Sequence, residues 1–195
     1  MPQVALWGKG ILCKKSAENT NYTTHTWLYR PSLADIALPI LVADLRIMRK
    51  IKYIFVHCTA SRRSWTIDAL LKEFTRKGWH YPGYHWAITE DGKKTQLMTE
   101  EQPSNGVKGY NGYAVNVAWM GGISNTGKAI DNRTDAQKQS LRELLTELKH
   151  RYPDAKILGH RDISPDKNHN GVVDPWERIK ECPCFDAITE YADIK

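Results

Sequence analysis

The sequence predicts an α/β fold, a single domain in which helices flank a mixed central β-sheet, and three observations support this class. Short apolar segments typical of buried strands alternate with segments whose apolar residues recur at helical spacing. Turn-forming residues separate these segments, and no internal repeat is present. A length of 195 residues allows one domain with a well-developed core and a small appendage.

The appendage is the N-terminal part of the chain. Residues 1–47 contain the polar stretch KKSAENTNYTTHTWLYRPS and lack sustained periodicity. At Met48 the sequence changes to MRKIKYIFVHCTAS, in which a basic start leads into an apolar strand. We therefore predict an N-terminal extension of uncertain order at 1–47 and a single folded domain at 48–195.

The first half of the domain is predicted to form a strand, a helix and a hairpin. The buried strand is IKYIFVH, residues 51–57. A helix follows because apolar residues at i, i+3, i+4 and i+7 line one face, and Gly78 ends it. That face consists of Ile67, Leu70, Leu71 and Phe74. YHWAIT and KKTQLM, joined by Asp91 and Gly92, form the hairpin.

The second half contributes two more strands and a longer helix. YAVNVAWM is a strand that ends in the glycines of GGISNTGK. Thr134 and Gln137 have capping-box spacing ahead of a helix with one apolar face. That face consists of Leu141, Leu144, Leu145 and Leu148. AKILGH then forms a short strand that runs into a loop.

The net charge limits the classes of partner. The chain carries a formal charge of +6 and has a pI near 9.1, which favours an anionic partner. Nucleic acid is not expected, because the sequence has no basic run interleaved with aromatic residues and no recognition motif. A membrane span is not expected, since the most apolar stretch, LADIALPILVADL, is short and contains charged residues and a proline. A cell-wall polymer with phosphate and carboxylate groups explains the charge equally well.

Cysteine usage indicates a reducing compartment. Four cysteines, at positions 13, 58, 182 and 184, are too few for a disulfide scaffold at this length. The N-terminus lacks a basic segment followed by an apolar one, so we expect no secretory signal. The segment IKECPCFD nevertheless places two cysteines around a proline. At this point their role is open between a metal ligand, a redox pair and two small buried side chains.

Two histidines lie at strand ends, where α/β sheets usually hold ligands. His57 ends the first predicted strand and His160 ends the last. Imidazole and thiolate are preferred ligands of Zn²⁺, and three of them leave a fourth position for water, whose pKa zinc lowers to about 7. The alternative is that both histidines are hydrogen-bonded structural residues, and their spacing alone does not decide.

Six segments of the domain form a recognisable pattern: FVHCTAS, KGWHYPGYHWAITEDG, KGYN, GGISNTGK, GHRDISP and KECPCFD. In this order and at nearly this spacing they resemble the zinc-dependent N-acetylmuramoyl-L-alanine amidases of the phage-lysozyme type, over roughly residues 48–190. The resemblance implies the fold shared by type 2 amidases and peptidoglycan recognition proteins. It also implies peptidoglycan as the partner and hydrolysis of the amide bond between the lactyl group of N-acetylmuramic acid and L-alanine.

The resemblance further implies the roles of individual residues. The ligands of the single catalytic zinc would be His57, His160 and Cys182. Tyr84 and Lys180 would be catalytic, since an ammonium can stabilise the oxyanion and a phenol can orient water or relay a proton. Strand alternation puts Tyr84 and His85 on opposite faces, so at most one of them points to the metal. Without the resemblance, Tyr84 would be taken for a core aromatic residue and Lys180 for a solvated charge.

Cys184 is predicted to be a small, partly buried thiol outside the ligand set. A Cys182–Cys184 disulfide is not expected, because one intervening residue would strain it.

Ahead of KGYN the phage-type pattern tends to have a histidine, where this chain has Gly106 and Val107. That departure bears on which stem peptide the protein prefers.

A structural calcium site is predicted at residues 166–177, where DKNHNGVVDPWE matches an EF-hand loop. Its ligands would be Asp166, Asn168, Asn170, the carbonyl of Val172, Asp174 and the bidentate Glu177. The usual preceding helix is missing, and an exposed turn that binds nothing is the alternative. Bound Ca²⁺ would order the loop that joins two zinc ligands and so help to assemble the site.

Two functional alternatives remain at this stage. A non-catalytic peptidoglycan-binding module can have the same fold, but the cysteine ligand together with Tyr84 and Lys180 favours an enzyme. We expect a monomeric phage or prophage endolysin that stays in the cytoplasm until lysis, with a host wall-remodelling enzyme as the alternative. Residues 1–47 would then be either the product of an upstream start codon or a short wall-anchoring segment.

Overall fold

The structure, a computed structural model, describes residues 49–195. The extension predicted at 1–47 lies outside the described residues, as does Cys13.

Five strands form one mixed sheet. They are β1 (Tyr53–Cys58), β2 (Trp86–Ile88), β3 (Lys94–Gln96), β4 (Ala114–Trp119) and β5 (Lys156–Gly159). Their order across the sheet is β3-β2-β4-β1-β5. β1 is parallel to both β4 and β5, and β2 is parallel to β4, whereas β2 and β3 form an antiparallel hairpin. The predicted mixed sheet is confirmed, and the carboxyl ends of β1 and β5 lie side by side.

Within residues 49–195, three helices accompany the sheet: α1 (Ile67–Arg76), α2 (Asp135–Arg151) and α3 (Ala187–Glu190). Short 3₁₀ turns occur at Asn111–Tyr113, His160–Ile163 and Pro175–Glu177. The capping box predicted at the start of α2 is confirmed, with the Thr134 hydroxyl accepting from the Gln137 N–H and the Gln137 side chain accepting from the Thr134 N–H. Between residues 49 and 195, no helix has the length and apolar character needed to cross a membrane.

The sheet has a different core on each face. On one face the four leucines of α2 pack against alternate residues of β1 and β4. These strand residues are Ile54, Val56, Cys58, Val115, Val117 and Trp119. On the other face, Leu70 and Phe74 of α1 pack against Ala87 and Met120, and Phe55 forms a further cluster with its neighbours. Because strand residues alternate between faces, His57 is on the same side as Phe55, away from α2.

One detail of the predicted α1 face is wrong. Leu70 and Phe74 are buried, but Leu71 has 38% of its surface exposed. The contact of α1 with the sheet follows the i, i+4 row of Leu70 and Phe74, so Leu71 lies beside the contact rather than in it. The helix ends as predicted near Gly78, whose φ of +73° is in the left-handed region.

Candidate active site

His57 is the most buried member of the candidate site. It is the fifth residue of β1 and has 1% of its surface exposed. Its Nε2 is 2.8 Å from Oδ1 of Asn116 in the neighbouring strand β4. Its Nδ1 is on the other side of the ring, 3.7 Å from Sγ of Cys182. The ring is thus held between a buried amide and a cysteine sulfur.

His160 and Cys182 approach His57 from the end of the sheet. His160 directly follows β5 and opens a 3₁₀ turn, and its ring centroid is 4.9 Å from that of His57 at an angle of 78°. The adjacency follows from the parallel pairing of β1 with β5. The Arg161 N–H donates to the carbonyl of Cys182 at 2.7 Å and so attaches the C-terminal segment to this turn. His160 and Cys182 are both partly exposed, so solvent reaches the site from their side.

Gly159 makes this close approach of the two segments possible. A Cβ at position 159 would be 2.5 Å from Cδ of Pro183, closer than real Cβ contacts. Any larger residue would push the Cys182–Pro183 segment away from the strand end. A glycine before His160 is therefore a spatial requirement of the site.

The three donor atoms fit zinc. Ligand atoms of His57, His160 and Cys182 lie within 4.8 Å of one another, and within residues 49–195 they form the one group of three such side chains that could hold a metal ion. Tetrahedral zinc with Zn–N near 2.0 Å and Zn–S near 2.3 Å places nitrogen and sulfur roughly 3.6 Å apart. The observed separation of 3.7 Å between His57 Nδ1 and Cys182 Sγ agrees with this. Two imidazoles and a thiolate also match the ligand preference of Zn²⁺.

The protonation states of these groups suit metal binding. Burial, together with the charge of Lys180, lowers the pKa of His57 to about 4 and that of His160 to about 3. Both imidazoles are therefore neutral at pH 7 and have a lone pair to donate. The Cys58 N–H donates to Sγ of Cys182 at 3.2 Å and so helps to fix the position of that sulfur.

Tyr84 lies beside the three ligands. Its ring centroid is 5.1 Å from that of His57 and 5.6 Å from that of Phe74. Its hydroxyl donates weakly to the carbonyl of Cys58 at 3.5 Å. Burial raises the pKa of Tyr84 well above its ordinary value, so the hydroxyl carries its proton at neutral pH. Tyr84 and His85 both precede β2, so strand alternation does not place them; His85 hydrogen-bonds with Ser104 and the Asn116 backbone.

Lys180 is exposed and borders the same site. It lines a cavity of about 70 Å³ together with His160, Ile163, Ser164 and Ile179. The charge of Lys180 contributes to the lowered pKa values of His57 and His160. The structure therefore brings all five residues singled out from the sequence to the carboxyl ends of β1 and β5 or beside them.

Comparison with known proteins identifies the family. A family model described as N-acetylmuramoyl-L-alanine amidase matches residues 48–177. The chain belongs to this family. It is an N-acetylmuramoyl-L-alanine amidase, which hydrolyses the amide bond between N-acetylmuramic acid and L-alanine in peptidoglycan. The match ends before Lys180 and Cys182, so their assignment depends on the geometry above.

Individual relatives and structures agree with the family. The amidase is 36% identical to the endolysin of Klebsiella phage KP32 over 137 residues, which are 68% of this chain and 80% of the relative. An uncharacterized protein of Haemophilus influenzae is 51% identical over 80 residues, 41% of this chain and 69% of the relative.

Among solved structures, the amidase LysC of Clostridium intestinale has a TM-score of 0.58 at 23% identity, covering 74% of this chain and 85% of LysC. PGRP-SA of Apis mellifera has a TM-score of 0.56 at 16% identity, covering 75% and 84%. These two similarities support the predicted fold.

The amidase contains a polar network that the sequence analysis missed. Asn116, Ser104 and His85 are fully or almost fully buried behind His57 and hydrogen-bonded to one another. The one sequence signal was an asparagine inside the otherwise apolar strand YAVNVAWM. A polar residue at a buried strand position requires a partner, but the sequence does not say which.

Cys184 lies outside the ligand group of the amidase. Cys58, Cys182 and Cys184 are all free thiols. Cys184 Sγ is 3.6 Å from Cys58 Sγ and 3.5 Å from the carbonyl oxygen of Gly122. Hydrogen bonding with Cys182, followed by burial, raises the pKa of Cys58 to about 12. Cys58 and Cys184 thus behave as protonated, packed thiols at neutral pH.

Loop 166–177 is closed by its own hydrogen bonds. Glu177, with 1% of its surface exposed, accepts the N–H groups of Lys167, Asn168 and Asp174. The Asp166 carboxylate accepts from the backbone N–H groups of Asn170 and Gly171. The side-chain amides of Asn168 and Asn170 donate to the Asp174 carboxylate. The side-chain oxygen of Asn170 accepts from the Val172 N–H. Because these carboxylates bind N–H groups and do not converge as a metal-holding cluster within residues 49–195, the predicted calcium site is not supported.

Proposed function

We propose that the amidase is a zinc enzyme in which His57, His160 and Cys182 hold the ion while Tyr84 and Lys180 act on the substrate. The observation that carries the proposal is the convergence of two neutral imidazole nitrogens and one cysteine sulfur within 4.8 Å. They lie at a partly solvent-exposed end of the sheet, next to a small cavity that His160 and Lys180 line. Bound there, zinc would activate a water molecule at neutral pH and polarise the amide carbonyl.

The residues around the ligands prepare the site for that chemistry. The Cys58 N–H donates a hydrogen bond to Sγ of Cys182 and orients it. Burial keeps His57 neutral, so that one of its ring nitrogens has a lone pair to offer a cation. Both features favour the binding of a cation at this site.

Lys180 and Tyr84 have complementary roles in the reaction. The Lys180 ammonium borders the cavity beside His160, where it can stabilise the negative charge that develops on the amide oxygen. Tyr84 keeps its proton at neutral pH, so its hydroxyl can donate a hydrogen bond to the same oxygen or orient the attacking water. Breaking the amide bond releases an amine, which needs a proton, and Tyr84 is placed near the ligands to relay it.

We further propose that the amidase acts as a phage or prophage endolysin. Relatives that share about two thirds of the chain are endolysins, including that of Escherichia phage T7 at 34% identity. In this role the monomeric protein would accumulate in the cytoplasm and meet peptidoglycan once the inner membrane is breached. The net charge of +6 favours contact with the anionic wall.

The experiment is digestion of purified sacculi with and without a zinc chelator, followed by mass spectrometry of the soluble products. We expect free stem peptides with an N-terminal L-alanine and glycan strands with intact lactyl groups. Chelation should abolish these products, and added Zn²⁺ should restore them. The Cys182→Ser variant is the matched control, because it removes one ligand atom while keeping the size of the side chain.

Two results would contradict the proposal. Intact sacculi with the protein bound to them under both conditions would indicate a peptidoglycan-binding module, an alternative with the same fold as the PGRP structures. Unchanged release of stem peptides after complete removal of metal would exclude the zinc site while leaving the amidase activity in place.

A further inference from the structure

Asn116 links the candidate zinc site to the interior of the protein. It is the third residue of β4, has none of its surface exposed and pairs with Phe55 of β1, on the sheet face that His57 occupies. Its side-chain oxygen is 2.8 Å from His57 Nε2, and its side-chain nitrogen is 2.9 Å from Ser104 Oγ. Both ends of a completely buried amide are thus hydrogen-bonded, one of them to a proposed metal ligand.

We propose that Asn116 is a positioning residue that selects the tautomer of His57 needed for metal binding. Its carbonyl oxygen accepts the proton of Nε2, so the lone pair of the neutral ring is left on Nδ1, the nitrogen that faces Cys182. Neutral imidazole has one N–H and one lone pair, and the hydrogen bond at one nitrogen decides the state of the other. The inference depends on the zinc site of the proposed function.

The orientation of the Asn116 amide follows from its other neighbours. The Asn116 backbone N–H donates to Nδ1 of His85 at 2.9 Å, so that nitrogen is unprotonated, and Nε2 of His85 donates to the Gln102 carbonyl. The Ser104 hydroxyl, 3.2 Å from the same Nδ1, shares that lone pair as a second donor, and its oxygen accepts from the Asn116 amide nitrogen. With the amide nitrogen directed to Ser104, the amide oxygen is directed to His57.

Gly106 provides the space that this amide occupies. A Cβ at position 106 would be 2.3 Å from Cγ and 2.4 Å from Oδ1 of Asn116. Gly106 is in the segment ahead of KGYN, where the phage-type pattern tends to have a histidine. In this chain the glycine and the asparagine are a complementary pair, in which the smaller residue makes room for the larger one.

The first test compares two variants that keep the approximate size of the side chain. Asn116→Leu removes the acceptor, whereas Asn116→Asp keeps an oxygen facing His57. Zinc affinity is measured by competition with a chromophoric chelator, and unfolding of the metal-free proteins is followed alongside. We expect Asn116→Leu to bind zinc about 10- to 100-fold more weakly and Asn116→Asp to remain close to the parent. Equal affinities of Asn116→Leu and the parent would overturn the proposal, as would equal losses in both variants.

The second test uses the metal-free parent and therefore does not depend on a variant that folds. Long-range ¹H–¹⁵N correlation spectra of the histidine rings report which nitrogen is protonated. We expect the Nε2–H tautomer for His57. The Nδ1–H tautomer would mean that the amide is turned over and the proposal is wrong.

The third test addresses the space beside Asn116. Gly106→Ala should weaken zinc binding although residue 106 does not contact His57, because the new Cβ displaces the amide. Gly112→Ala is the matched control, since its Cβ would have no atom within 4 Å and its φ is not in the left-handed region. Equal affinities of these two alanine variants would contradict the role of Gly106. A parent that binds no zinc would instead refute the proposed function, so the two failures are distinguishable.

Discussion

His57 and Cys58 are consecutive residues with opposite environments, and this difference decides the chemistry of the site. Successive side chains of a strand point to opposite faces of the sheet, so His57 faces Asn116 and the other ligands while Cys58 packs with the α2 core. The same strand end supplies the Cys58 N–H to Cys182. One strand residue thus provides the side chain of a proposed zinc ligand, and the next provides a backbone donor to a second proposed ligand.

The two cysteines of the C-terminal segment should differ in their effect on zinc. Cys182→Ser should lose zinc and activity together, because serine does not ionise at neutral pH and is a poor ligand for the ion. Cys184→Ser should keep stoichiometric zinc, since its sulfur packs against Cys58 and Gly122. Metal analysis of the purified proteins distinguishes the two. Loss of zinc in Cys184→Ser would show that Cys184 also binds the ion, contrary to this prediction.

Tyr84 and Lys180 should affect turnover without affecting metal content. We expect Tyr84→Phe and Lys180→Ala each to lower kcat by about 10²- to 10³-fold, because each removes a group that acts in the transition state. Lys138→Ala, on the far side of the sheet in α2, should leave kcat unchanged. Steady-state kinetics on soluble muropeptides provide the measurement. Full activity of both site variants would show that their proximity to the ligands has no catalytic role.

At the scale of elements, loop 166–177 is built around one buried carboxylate. Glu177 ends the 3₁₀ turn Pro175–Glu177 and accepts three backbone N–H groups from the loop. An unsatisfied buried N–H is costly, so this side chain determines the shape of the connection between His160 and Cys182. Lys180 follows only three residues later, so the loop also affects the position of a proposed catalytic group.

Removal of the Glu177 carboxylate should therefore weaken both the fold and the site. Glu177→Ala should lower the free energy of unfolding by about 1–3 kcal/mol, since several N–H groups lose their acceptor. Denaturant unfolding of the parent and the variant checks this. For the zinc-saturated parent, we expect no change in Tm on addition of millimolar Ca²⁺. A rise in Tm that Glu177→Ala abolishes would restore the predicted calcium site.

At the scale of the whole molecule, Arg133 joins the segment before α2 to the C-terminal helix. Its side chain is 2% exposed and makes two hydrogen bonds each to Asp131 and Glu190. Its guanidinium carbon is 3.3 Å from the ring centroid of Phe185, the residue after Cys184. The C-terminal segment that carries Cys182 is thus anchored to the body of the domain by one buried cation.

The Arg133 anchor predicts a dependence of stability on pH. Burial opposes ionisation of Asp131, but hydrogen bonds and the charge of Arg133 outweigh it and hold the pKa of that carboxyl below its ordinary value. A carboxyl with a lowered folded-state pKa contributes stability above its unfolded pKa of about 4, and this contribution is lost as the pH falls through the folded value. Acid should therefore destabilise the parent more steeply than a variant without the cation.

Arg133→Met provides the comparison. We expect it to be less stable than the parent by about 1–3 kcal/mol at neutral pH, because the two carboxylates lose a charged partner while keeping some contact with water. Below about pH 4 the difference should shrink. Denaturant unfolding at a series of pH values measures both effects. A difference in stability that stays constant with pH would show that the pKa of Asp131 does not depend on Arg133.

The sequence by itself determined the class of fold, the alternation of strands and helices, the α2 capping box and the family to which the chain belongs. These features depend on local periodicity, local hydrogen bonds and motif order, all of which are present in consecutive residues. It also named His57, His160 and Cys182, although only the resemblance selected them from other polar residues.

Only the tertiary structure decided which residues meet. The role of Asn116 depends on the register of β4 against β1, and the need for Gly106 depends on an atom ten residues away in the chain. The burial of Leu70 without Leu71 depends on how α1 contacts the sheet. The sequence of loop 166–177 matches the EF-hand pattern, but its carboxylates accept hydrogen bonds from backbone N–H groups in the folded chain. Contacts of this kind are set by packing between distant segments, which no local pattern in the sequence contains.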